Sequence, residues 1–151
     1  MARPALTQDL KELLELLIEN KVPYLIIGGQ AMAVHSCPRY TKDLDLWIDN
    51  NEKDSVNLYK TLCQFGFQFD ESFITLWQIK PKIIILGNEP NRVDLLNGTK
   101  GVTFAECYKD KVSYSYDNLI LNCISKKHLI LNKQAVGRSR DIVDVETLLN
   151  S

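Results

Sequence analysis

Tyr24-Leu25-Ile26-Ile27-Gly28-Gly29-Gln30-Ala31 opens the stretch that decides the fold, and Asp43-Leu44-Asp45-Leu46-Trp47-Ile48 closes it. The first four residues form a short apolar run that stops at two glycines. This reads as a buried strand ending in a tight turn. Gln30–Ser36 is compact and Ala-rich, a short helix that Pro38 breaks, and Arg39–Lys42 is a polar loop. In the closing segment Leu44, Leu46 and Ile48 alternate with Asp43, Asp45 and Trp47. That period of two marks a strand with one face in the core.

The flanking sequence extends the pattern. Leu6, Leu10, Leu13, Leu14, Leu17 and Ile18 fall at helical spacing, with Thr7 placed to cap and Pro23 barring continuation. A second helix is expected around Glu52–Gln64, with Val56, Tyr59, Leu62 and Cys63 inward. Phe73–Ile79, Lys82–Leu86 and Arg92–Leu96 are β-favouring runs separated by Pro81 and by Gly87-Asn88-Glu89-Pro90, so two antiparallel hairpins are expected. A short helix near Phe104–Tyr108 precedes strands near Val112–Tyr116 and Leu119–Asn122. Ser125 caps a helix running to about Gln134. A last helix spans about Ser139–Leu149, with Ile142, Val145, Leu148 and Leu149 on one face. Helices around a mixed β-sheet make this an α/β or α+β fold.

The chain has 151 residues and no composition break, so a single domain over residues 1–151 is expected. Its 45% hydrophobic and 25% charged residues exclude disorder along the whole length. A net charge of -1 excludes a global basic field, though not a local patch. Tyr24–Ile27 and Ile83–Leu86, the longest apolar runs, are too short to span a bilayer. The N-terminus does not read as a signal peptide, and four scattered cysteines without a C-x-x-C pair suit free thiols in a reducing cytosol. A cytoplasmic protein is expected.

On a strand, Asp43 and Asp45 project to one face while Leu44 and Leu46 enter the core. Adjacent carboxylates repel unless a cation or proton lies between them, and Mg²⁺ takes hard oxygen ligands. Alone, the pair is a weak signal and suits a solvated strand face better. Gly28-Gly29 ends a strand immediately before a helix, where backbone N–H groups can meet an anion; a plain tight turn is the alternative. Walker A and Rossmann spacings are both absent. In Arg92-Val93-Asp94-Leu95-Leu96, Asp94 is a lone acid in an apolar strand. If that strand lies beside the first acid pair, a three-carboxylate cluster results. His35 and Trp47 read more simply as packed side chains than as ligand contacts.

The ordered combination of apolar strand, Gly-Gly turn, short helix, Asp43-Leu44-Asp45 and a later Asp94 resembles the nucleotidyltransferase superfamily with the polymerase-β-like palm. A closer resemblance is to its small bacterial stand-alone branch, which includes AbiEii-like toxins of toxin–antitoxin systems. Arg39–Asp45 is similar to that branch's R-T-x-D-h-D, and Lys133 with Gly137-Arg138-Ser139-Arg140-Asp141-Ile142-Val143-Asp144 to its C-terminal pattern. AbiEii-type toxins usually carry a larger helical C-terminal domain than this chain offers. The resemblance implies a palm on which helices over about 125–149 pack. It implies two Mg²⁺ ions held by Asp43, Asp45 and Asp94, with Asp94 also the base for an acceptor hydroxyl. Gly28 and Gly29 would hold the triphosphate, and Arg39, Lys42, Lys133 and Arg138 would neutralise it. Asp141 would position Lys133 or Arg138. The implied activity moves an NMP group from an ATP-like nucleoside triphosphate to a small molecule, an RNA end or a protein. The other expected reading is a nucleotide- or partner-binding regulatory module without turnover. A metal-dependent nuclease using the same acids leaves the Gly-Gly turn unexplained. Recognition of the acceptor could call on a homodimer or a partner protein.

Overall fold

The computed structural model describes residues 6–36 and 43–151. Helix α1 (Gln8–Glu19) is capped by Thr7, whose hydroxyl accepts from Leu10 N, and it buries Leu10, Leu13, Leu14 and Leu17. Strand β1 (Leu25–Ile27) is buried throughout and runs straight into α2 (Gly28–His35). Strand β2 (Leu44–Trp47) follows, then α3 (Glu52–Phe65), α4 (Ser72–Trp77), β3 (Ile83–Leu86) and β4 (Val93–Leu96). Helix α5 (Phe104–Lys109) leads into the hairpin of β5 (Val112–Tyr116) and β6 (Leu119–Cys123). Helices α6 (Lys126–Val136) and α7 (Ser139–Leu149) close the chain.

The six strands form one mixed sheet in the order β3-β4-β2-β1-β6-β5. Strand β2 is antiparallel to β1 and parallel to β4, and β1 is parallel to β6. Strands β2 and β4 place their apolar residues as expected: Leu44, Leu46 and Leu95 are fully buried, and Val93 nearly so. The expected mixed sheet with flanking helices is therefore the observed one, and no described helix is long and apolar enough to cross a membrane.

Three expectations are corrected. Phe73–Ile79 is not a strand; it supplies α4. Phe73 and Trp77 are spaced i, i+4, bury together and stack with centroids 5.9 Å apart, beside Phe69 at 5.1 Å. Helical spacing of these two anchors overrides β-propensity. Only one of the two hairpins, β3–β4, therefore exists in this region. On α3, Cys63 is exposed and Val56 and Tyr59 only half-buried, while Leu58, Leu62, Ser55 and Thr61 are buried. The two hydroxyls donate back to Asn51 O and Asn57 O, which lets them sit inside. On α7, Ile142 and Leu149 are exposed, and the inward face is Asp141, Asp144, Val145 and Leu148.

Asn97 locks the edge of the sheet next to β4. It is fully buried; its amide donates to Trp77 O (2.9 Å) and Ile79 O (3.0 Å), and its oxygen accepts from Lys82 N (2.8 Å). Asn97→Ala would strand those three backbone groups. The expected loss is about 2–3 kcal/mol of unfolding free energy in urea titration; a loss below about 0.5 kcal/mol would show that water replaces the amide freely.

Candidate active site

Register brings the acids together. In the β2–β4 pair, Asp45 lies opposite Asp94; in the β1–β2 pair, Asp45 lies opposite Ile27, the last residue before the glycine turn. Gly28 takes φ +68, and a Cβ on it would lie 2.2 Å from Asp45 Oδ2. No side chain fits there, so the backbone at the start of α2 lies directly against the carboxylate. The N-terminus of α2 has no side-chain cap. Its free N–H groups are available to an anion.

Helices α6 and α7 supply the opposite wall of a cavity of about 720 Å³ that Asp43, Asp45 and Asp94 also line. Gly137, in the left-handed conformation at φ +71, turns the chain between these helices. The Lys133 ammonium is buried and bonds Asp144 at 2.8 Å, with Asp141 at 3.5 Å. Asp141 also accepts a two-pronged contact from Arg138, Nε to Oδ2 at 2.6 Å and Nη2 to Oδ1 at 3.2 Å. Arg138 is the main cause that holds the Asp141 carboxyl below its ordinary range. These pairings turn Asp141 and Asp144 inward and leave Ile142 and Val143 outside.

Of the residues singled out in the sequence, Gly28, Gly29, Asp43, Asp45, Asp94, Lys133 and Arg138 all line this cavity. Arg39 and Lys42, with the Pro38 break, lie outside the described residues. Trp47 is buried and packs edge-on against Phe104 at 5.3 Å, and His35 Nε2 sits 2.6 Å from Ile124 O; both are packed side chains. The lining residues that carried no expected role include Arg92, Asn132 and Arg140. Arg92 was legible in principle, since it stands two residues before Asp94 and so shares its strand face. Its Nε donates to Asp94 Oδ1 at 2.9 Å, its Nη2 to Oδ2 at 3.2 Å, and its Nε lies 3.4 Å from Asp43 Oδ2. Asn132 donates to Thr99 Oγ1 and Lys100 O, tying α6 to the loop after β4.

Electrostatics at the floor are strained. Burial pushes the Asp45 carboxyl up from 3.8 to about 7, with Asp94 and then Asp43 adding to the rise and Arg92 and Arg140 opposing it. Asp43 Oδ1 is buried with no hydrogen-bond partner among the described residues. A hard divalent cation would answer both features, so the donor set suits such an ion. As the side chains lie, no three described acids converge to ligate one ion.

Neither a protein-family model nor a curated protein sequence matches the chain. Its fold is similar to that of the lincosamide antibiotic adenylyltransferase LnuA in a lincomycin-bound crystal structure. The TM-score is 0.60 at 19% identity, over 97% of this chain and 98% of that one. The likeness extends end to end and is a likeness of fold.

The folded protein holds the Asp45 proton more tightly than the unfolded chain. Its contribution to stability is therefore fully present below the ordinary 3.8 and is lost as pH rises through about 7. In metal-free buffer, Asp45→Asn is expected to remove the fall in stability between pH 5 and pH 8, which amounts to roughly 3 kcal/mol. Parallel wild-type and Asp45→Asn melting curves across that range would contradict the assignment.

Proposed function

We propose that this chain is a divalent-metal-dependent nucleotidyltransferase, moving an NMP group from a nucleoside triphosphate to an acceptor hydroxyl or phosphate. The observation that carries the reading is the apposition of Asp45 and Asp94 beside the bare backbone of Gly28. A carboxylate cluster next to an anion-accepting helix N-terminus suits a metal-bound triphosphate and little else. The shared fold with an adenylyltransferase supports the same class of chemistry. Membership of the AbiEii-like branch rests on the motif resemblance alone.

In this reading Asp43, Asp45 and Asp94 would hold Mg²⁺, in two ions, which supplies charge neutralisation at the α-phosphate and the leaving pyrophosphate. Gly28 and Gly29 donate backbone N–H groups to the phosphates. Arg138 and Arg140, at the start of α7, face the same cavity and offset phosphate charge, with Lys133 held in place by Asp144 and Asp141. An acceptor oxygen attacks the α-phosphorus, its proton passes to an Asp94 oxygen, and the bond to the bridging oxygen breaks with pyrophosphate carrying away the electron pair. The acceptor class is a small molecule, an RNA end or a protein side chain; the near-zero net charge favours one that needs no long basic track.

A second reading, binding without turnover, draws on one observation: Lys133, Arg138 and Arg92 already have carboxylate partners. Melting curves with ATP, GTP, CTP and UTP, with and without Mg²⁺, address the first step. Under the transferase reading, at least one triphosphate raises Tm by several degrees only with Mg²⁺, and Asp43→Ala abolishes the shift while keeping the fold. Full binding and transfer by Asp43→Ala would rule out its role as a metal ligand. A Mg²⁺-dependent shift without pyrophosphate release across an acceptor panel would favour the binding module.

A further inference from the structure

Arg92 occupies the place where a cation is needed. Both oxygens of Asp94 accept from its guanidinium, and Asp43 lies on its other side. Asp94 cannot offer the same lone pairs to a metal ion while this fork-to-fork pair is intact. A guanidinium does not deprotonate in a protein, so it cannot yield by losing its charge; it has to move. It is free to do so. Its side chain is 34% exposed, and the carboxylate of Glu89, in the turn between β3 and β4, also lies within its field. Asp43 Oδ1, buried and without a hydrogen-bond partner among the described residues, belongs to the same group of carboxylates.

We propose that Arg92 is the resident counter-cation of the acidic cluster: it neutralises Asp43 and Asp94 in the metal-free protein, is displaced when a divalent ion binds, and thereby sets metal affinity. This rests on the reading of Asp43, Asp45 and Asp94 as metal ligands. An arginine whose charge competes with a doubly charged ion lowers affinity in two ways. It ties up ligand oxygens, and it repels the ion at short range. An ordinary surface ion pair would do neither, because its loss changes little beyond its own small stability.

The test is binding of Mn²⁺ alone, followed by the electron paramagnetic resonance signal of the free ion. Wild type, Arg92→Gln, Arg92→Lys and Asp43→Ala are compared at pH 8, each checked for folding by circular dichroism. Arg92→Gln is expected to bind Mn²⁺ at least about tenfold more tightly than wild type. Arg92→Lys is expected in between, since it keeps a point charge without the two-pronged grip. Asp43→Ala should bind least. If Arg92→Gln and Arg92→Lys both bind no tighter than wild type while Asp43→Ala loses binding, the metal site stands and the counter-cation role falls. If no variant binds Mn²⁺, both fall together. Arg92→Lys carries the test should Arg92→Gln fail to fold.

Discussion

Two carboxylates held opposite one another on adjacent parallel strands repel, and the backbone that places them there cannot relieve it. The pairing of Asp45 with Asp94 is set by the hydrophobic register of β2 and β4: a slip of one residue would turn Leu44, Leu46, Val93 and Leu95 out of the core. The apolar face thus enforces the charge crowding on the other face. Much of what surrounds the cluster can be understood as accommodation. Gly28 yields its side-chain space to Asp45, Arg92 supplies positive charge at one edge, and Arg140 contributes to the field from α7.

The helical wall is built on a second set of charges. Lys133, Asp144, Asp141 and Arg138 form a chain of ion pairs between α6 and α7, with all but Arg138 buried. Buried pairs of this kind bring little net stability, because desolvation offsets attraction, but they are costly to break one partner at a time. Their effect here is geometric. They fix the rotation of α7, so that its first turn, with Arg138 and Arg140, addresses the cavity.

Most of the palm could be read from the chain because its signals are local. The D-x-D alternation, the glycine stop after Ile27, and the caps Thr7 and Ser125 each depend on residues a few positions apart. The adjacency of Asp94 to Asp45 could be posed only as a condition, since strand order is a non-local property. The misread segments fail for the opposite reason. Phe73 and Trp77 look β-prone in isolation, and their distant partners are what hold them on a helix: Phe73 packs on Tyr59 of α3, and Trp77 Nε1 donates to Asp49 O. On α7 the expected Val145 and Leu148 do face inward, but Ile142 and Leu149 do not, because Lys133 on α6 draws Asp141 and Asp144 into the buried face. Arg92 follows the same period of two that pairs Asp43 with Asp45, which puts it on the face of Asp94.

The pairing of β2 with β4 also has a bearing on how the protein comes to be. Asp45 and Asp94 are 49 positions apart in the chain, and the helices facing them lie further along still. An unfolded or partly synthesised chain has no clustered carboxylates, hence neither their mutual repulsion nor any special attraction for a cation. The cavity takes form only as distant segments meet, a closure whose entropic cost slows folding relative to local contacts. A nascent chain ending near β4 would carry all three aspartates without the helical wall that faces them.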